Sequence, residues 1–279
     1  MTVGRRRARS RVFVGLAVVA VLAFTLFPIY MMLTMAVDER ANSASRSLLP
    51  TKFTLDHFSF VLDEGGFSSY LLNSAIVAGG TIVASGMLAL LAAVAVSRFE
   101  FRFRTSVLVM VLVIQMVPLE ALVIPMFIQA RDLRLLNSLL GLVVVYVAFS
   151  LPISIWMLRG FVAAVPKEIE EAAYVDGASW RRMFWSILFP LVAPGLVAVS
   201  VFSFILAWNE FIFALTFNTD VNPKRYTAAV GLRRFFGQYA NDWGPIMAGS
   251  TLITVPVMIF FIIVQRRLST GLVAGSVKG

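Results

Sequence analysis

From Val12 to Val37 the sequence has no charged residue, and the same holds from Tyr70 to Ser97, Leu139 to Leu158 and Gly244 to Val264. Two more apolar runs, Ser106 to Gln129 and Leu191 to Phe217, carry one carboxylate each, Glu120 and Glu210. About 20 apolar residues is the length at which a helix crosses the hydrocarbon of a bilayer. In that medium the backbone must satisfy its own polar groups, which a helix does within one segment. The runs therefore predict an all-α integral membrane protein with six transmembrane helices. Composition argues the same way: 59% of the residues are hydrophobic and 14% charged, more apolar surface than a soluble domain of this length buries.

The first run follows a tail holding Arg5, Arg6, Arg7, Arg9 and Arg11, a pattern shared with signal peptides. It is too long for a signal-peptide core, and no small-residue cleavage site precedes Asp38. It reads as a retained span with Pro28 tolerated inside it. The expected organisation is a basic tail over 1–11, a six-span membrane domain over 12–265 and a second basic tail over 266–279. In the second run Ala75 and Gly79, and Gly80 and Ala84, set small residues four apart, which lets a neighbouring helix approach closely. Glycine is also simply common in membrane helices. Pro118 and Pro125 should bend the third run.

Of the 24 lysines and arginines, fifteen fall in the N-tail, Arg98–Arg104, Arg159–Pro190 and the C-tail. By the positive-inside rule these segments are cytoplasmic, and so are both termini of a chain in the cytoplasmic membrane. This bias accounts for the net charge of +9 better than nucleic-acid binding does. Cysteine is absent and His57 is the single histidine, so no thiolate metal site or disulfide is possible and histidine chemistry has little scope. No lysine follows glycine as a Walker A loop requires, and G-x-S-x-G and H-E-x-x-H are missing. The chain should neither bind ATP nor act as an enzyme, and its energy should come from a partner or a gradient.

The longest polar interruption late in the chain is Pro166–Pro190, PKEIEEAAYVDGASWRRMFWSILFP. It reads as two short helices and a turn. Pro166 suits a helix start, and Glu168, Glu170 and Glu171 complement the positive end of the helix dipole. Asp176 and Gly177 can end that helix, because glycine accepts a left-handed backbone. Ser179 can cap a second helix from Trp180 to Leu188, and Pro190 marks entry to the next apolar run. Glu120 and Glu210 are expensive in hydrocarbon, which suggests an interior or water-filled surface. Beside Glu210, Trp208 and Asn209 complete an aromatic–amide–carboxylate set suited to a sugar. A carboxylate reaching water from a span end, with an aromatic belt beside it, explains the same residues.

Glu171, Ala172, Ala173, Asp176, Gly177, Ala178, Ile187 and Pro190 resemble the EAA loop of permease subunits of ATP-binding-cassette (ABC) importers. The family pattern is Glu-Ala-Ala, three residues, Gly, nine residues, Ile, one residue, Leu-Pro; only Phe189 departs from it, where Leu is usual. FTLDHFSFVL, YLLNSAIVA, VPLEALVIPMF, AWNEFIFAL, YTAAVGL and DWGPIMAGS resemble the carbohydrate permeases of the maltose type, from about Leu48 onward. The resemblance implies a MetI-like type I importer fold paired with a second homologous permease subunit. It also implies two ATPase subunits that hold ATP and Mg, docked on the EAA-like loop, and an extracytoplasmic solute-binding protein. It further implies a C-tail, with Gly271, Gly275 and Lys278, that contacts the ATPases. The solute implied is a sugar. Glycerol-3-phosphate or a glycerophosphodiester is the nearest alternative, and a proton-driven carrier using Glu120 or Glu210 is an alternative of another class.

Overall fold

The computed structural model describes residues 2–43, 48–50, 52–63, 65–220, 222–237 and 241–275. In chain order the helices are α1 (Thr2–Ala36), α2 (Asp56–Asp63), α3 (Phe67–Arg98), α4 (Arg104–Ile114), α5 (Val123–Asp132) and α6 (Leu139–Ala164). Then come α7 (Lys167–Val175), α8 (Trp180–Met183), α9 (Phe189–Asn209), α10 (Ile212–Thr216), α11 (Ala228–Leu232) and α12 (Trp243–Gly275). Extended pairing among the described residues is limited to two isolated bridges, Asp38 with Phe53 and Phe236 with Asn241. Five helices are long and apolar enough to span a bilayer, and α4 with the segment Leu119–Asp132, bent by 96°, makes a sixth crossing if taken as one span. The fold is all-α, as the apolar runs predict.

The chain forms two compact units, each a set of two segments: Met1–Phe67 with Leu232–Val255, and Ser68–Gly231 with Pro256–Gly279. In the first unit α1 runs into a short polar segment pinned by Thr54 N–H to Val37 O (2.8 Å) and Glu39 N–H to Lys52 O (3.1 Å). The Asn42 side chain accepts from Trp243 N (2.7 Å) and donates to Asp242 Oδ1 (2.8 Å), filling a donor at the start of α12. Phe235 packs between Phe60 and Phe67, at ring-centroid distances of 6.2 and 6.1 Å. From Phe13 to Tyr30 every residue of α1 is exposed among the described residues.

The second unit is built around α6 and α9. Their close approach needs Gly195, since a Cβ there would fall 2.5 Å from the Phe161 ring. Ser85 of α3 meets Ser203 of α9 at 2.9 Å in a buried interhelical hydrogen bond. Gly80 of α3 lies against Val143 of α6, whereas Gly79 has open space around its Cβ position. Among the described residues, then, the pair containing Gly80 meets a neighbouring helix and Gly79 does not.

Two expected spans differ in detail. The third run is not merely bent but broken, since helix stops at Ile114 and a 3-10 turn over Leu119–Leu122 precedes α5. Pro118 lacks an N–H and disfavours helix at the residue before it, which accounts for the break. Pro125 falls in the first turn of α5, where a missing N–H costs nothing. The fifth span starts earlier than Leu191 and stops before Phe217. Helix runs from Trp180 to Asn209 and breaks at Glu210, where ψ is 130°. A π-helical turn, Phe184–Leu188, lies in that run just before Pro190, which cannot donate back to the preceding turn.

Candidate functional site

The Pro166–Pro190 segment has two faces. On α7, Glu170 and Ala173 are buried three residues apart, while Glu168, Glu171 and Ala172 are exposed. Ala173 joins a core cluster with Leu90 and Val94 of α3, Leu158 and Val162 of α6, and Leu188; Ala178 and Ile187 pack against that cluster. Asp176 and Gly177 are exposed, Val175 is 88% exposed, and Tyr174 and Trp180 are also open. The expected residues thus divide: Ala173, Ala178 and Ile187 hold the segment, while Glu171, Ala172, Asp176 and Gly177 project from it. Pro190 is exposed in the first turn of α9.

The turn closes as the sequence suggests. Gly177 has φ +78°, Gly177 N–H donates to Tyr174 O (3.0 Å), and Ala178 N–H donates to Ala173 O (2.9 Å). This nested pair of bonds satisfies two carbonyls at the helix end. Ser179 Oγ accepts from Arg182 N–H (3.4 Å) to start α8. Pattern reading missed the ion pair beneath. Arg98, at the end of α3, meets Glu170 at 2.7 Å and donates to Val165 O at 2.8 Å. One weak signal existed, since Glu170 shares a helix face with Ala173; nothing in the sequence names a partner 72 positions away.

Trp208, Asn209 and Glu210 are not brought to one surface. Trp208 is buried and stacks on Phe204 at 5.2 Å, which in turn stacks on Phe260 at 4.1 Å. Asn209 is exposed and bonds its own helix, Nδ2 to Ile205 O at 3.0 Å. Glu210 is half-buried and turned inward. Its carboxylate accepts from Phe213 N (2.9 Å), Ala214 N (3.1 Å) and the hydroxyl of buried Tyr146. Glu210 thus satisfies the open amides of α10 and ties them to α6. Tyr146 was the missed member here. Glu120 is exposed on the 3-10 turn between α4 and α5. Near that break lies a pocket of about 310 Å³ whose lining, including Leu119, Met126, Phe149 and Phe202, is apolar but for Gln115 and backbone.

At the C-terminus, Gly271 and Gly275 continue α12, whereas Lys278 lies outside the described residues. No group of three or more His, Cys, Asp or Glu residues suited to a metal occurs among the described residues.

Comparison with known proteins fits this architecture. Residues 85–273, more than half of the chain, match the family model described as the binding-protein-dependent transport system inner membrane component. The diacetylchitobiose uptake system permease protein DasC of Streptomyces coelicolor is 37% identical over 99% of this chain and 100% of its own length. The trehalose transport system permease protein SugB of Mycobacterium tuberculosis is 34% identical over 93% of this chain and 94% of its own. A bacterial ABC transporter involved in the import of the acidic polysaccharide alginate shares the fold of 94% of this chain and 97% of the matched chain, with a TM-score of 0.80 and 21% identity. With its apolar helices, broken third span and EAA-like segment, this multi-pass membrane chain belongs to the family of binding-protein-dependent transport system inner membrane components, as a permease and not a catalytic subunit.

Proposed function

We propose that this chain is the permease subunit of an ABC importer that carries a sugar across the cytoplasmic membrane. In this reading its EAA-like segment is the docking surface for an ATPase subunit. The observation that carries the coupling role is the division of that segment. Ala173, Ala178 and Ile187 are fixed in the body of the second unit, and Glu171, Ala172 and Asp176 face outward beside the open apolar surface of Val175 and Tyr174. A rigidly held, outward-facing acidic and apolar patch is suited to transmitting a push from another protein. The Arg98–Glu170 pair adds stiffness to that mount. The sugar assignment rests on the named substrates of the relatives, diacetylchitobiose and trehalose.

In the proposed assembly a solute-binding protein delivers solute from outside, and two ATPase subunits hold ATP and Mg at the cytoplasmic face. Both termini lie on that face, and the end of α12, with Gly271, Gly275 and Lys278, adds a contact to the ATPases. A second homologous permease subunit completes the path. The exposed apolar stretch of α1, Phe13 to Tyr30, supports such a partner, since these residues stand open among the described residues. Closure of the ATPases on ATP would tilt the docked segments and open the permease pair outward; hydrolysis would reset it. We place Asn209 and Glu120 at the solute path as exposed polar groups beside unwound backbone, with Trp208 and Glu210 shaping the break.

The test is transport by the reconstituted complex with a panel of labelled di- and oligosaccharides. Glu171→Lys and Gly177→Pro are expected to abolish ATP-driven uptake while the chain remains inserted in the membrane. The first reverses an exposed charge and the second removes the αL turn. Normal uptake by either variant overturns the coupling assignment.

A further inference from the structure

A second pocket, of about 340 Å³, lies between α4 and α6, and none of its lining residues belongs to the coupling segment. Arg104, Thr105, Trp156 and Arg159 line its polar part. Leu108 and Leu112, one and two turns further along α4, continue it as an apolar slot. The polar level is set by chain geometry, because Arg104 opens α4 and Arg159 lies in the last two turns of α6. The Arg159 guanidinium sits over the Trp156 ring, 5.4 Å from its centre.

Both arginines are half-buried, and among the described residues neither has a carboxylate partner. Two guanidiniums facing one cavity repel each other unless an anion lies between them. Tryptophan stacked under one of them marks the level of a membrane–water interface. A ligand that fits must offer a dianionic or monoanionic phosphate at that level and hydrocarbon along Leu108 and Leu112. Arginine forks match phosphate oxygens, and the Thr105 hydroxyl supplies a further donor.

We propose that this pocket is a headgroup site for an anionic phospholipid, with the phosphate held by Arg104 and Arg159 and an acyl chain lying along α4. Net negative charge distinguishes the ligand from a zwitterionic lipid, whose own cation would meet the same two arginines. Basic pockets between membrane helices are a recurring setting for such headgroups.

The experiment is lipid titration of the assembled transporter in detergent, read by native mass spectrometry, with phosphatidylglycerol against phosphatidylcholine. Wild type should bind phosphatidylglycerol in preference. Arg104→Gln with Arg159→Gln should weaken that binding roughly thirtyfold, to the phosphatidylcholine level. Arg104→Lys with Arg159→Lys should keep most of the preference, which separates lost charge from lost fold. Arg131→Gln with Arg134→Gln, exposed arginines that neither line the pocket nor lie in the coupling segment, should change nothing. An unchanged preference in the double glutamine variant overturns the proposal. So does displacement of phosphatidylglycerol by millimolar inorganic phosphate, which would make this a free-anion site. Binding by the isolated chain but not by the assembled complex also overturns it, since a partner subunit would then cover the pocket.

Discussion

Arg98 and Glu170 meet with side chains only 10% and 11% exposed, so each is the other's charge partner in a site largely shielded from water. Removing one partner from such a pair leaves an uncompensated buried charge, at a cost of about 3–5 kcal/mol, whereas replacing both with apolar groups of similar size is often neutral. The asymmetry gives a direct prediction. Arg98→Ala and Glu170→Ala should each lower the melting temperature of the solubilised chain, and Arg98→Met with Glu170→Leu should restore most of it. Because Arg98 also holds Val165 O, Arg98→Ala should be the more damaging single change. If the double variant is as unstable as the worse single one, the pair is not the main support of α7. Glu171, one position on, is exposed, so the neighbouring acids Glu170 and Glu171 sit in opposite surroundings.

At the scale of elements, the break between α9 and α10 is held by one carboxylate with three donors. Glu210 fills two amides at the start of α10, and Tyr146 reaches it from α6. Hydrogen bonds to a charged group contribute about 1.5–3 kcal/mol each. Tyr146→Phe should therefore lower stability by about that amount and loosen the break, increasing hydrogen exchange at Phe213 and Ala214. Unchanged exchange there would show that α10 keeps its position without Tyr146. The helices themselves were legible in the sequence, because an uncharged run of bilayer length has few other solutions. The Gly177 turn was legible too, since Asp-Gly after a helical pattern has one economical geometry. The interruptions were less so. Pro118 announced a bend but not its size, and nothing marked Glu210 as a helix end, because its carboxylate acts through backbone amides and a tyrosine 64 positions earlier. The aromatic–amide–carboxylate set is divided between inside and outside for a related reason. Adjacent residues on a helix point about 100° apart, and packing against Phe204 draws Trp208 inside while Asn209 stays open.

For the molecule as a whole, the helix from Trp180 to Asn209 sets the scale. Its 30 residues extend about 45 Å, against about 30 Å of bilayer hydrocarbon. The surplus lets one end of this helix stand clear of the hydrocarbon while the other reaches the far boundary. A push on the proposed coupling segment can then be carried by one continuous helix to Asn209. The π-helical turn at Phe184–Leu188, with Pro190 just after it and Pro194 inside α9, interrupts its hydrogen-bond pattern without ending the helix. Cysteine labelling in the assembled transporter tests this, because the native chain has no cysteine to remove. Asn209→Cys should react with a membrane-impermeant thiol reagent added on the side opposite the ATPases. The rate should rise when ATP holds the complex outward-open. Trp208→Cys should stay unreactive until the chain is unfolded, because position 208 is only 3% exposed and covered by Phe204. The neighbouring positions differ in burial but not in depth, so the contrast reports the path and not simple distance from the surface. Equal reactivity at 208 and 209 would mean that this end of the helix is frayed. Silence at 209 in every nucleotide state would place it in a dry contact with another subunit and remove it from the solute path.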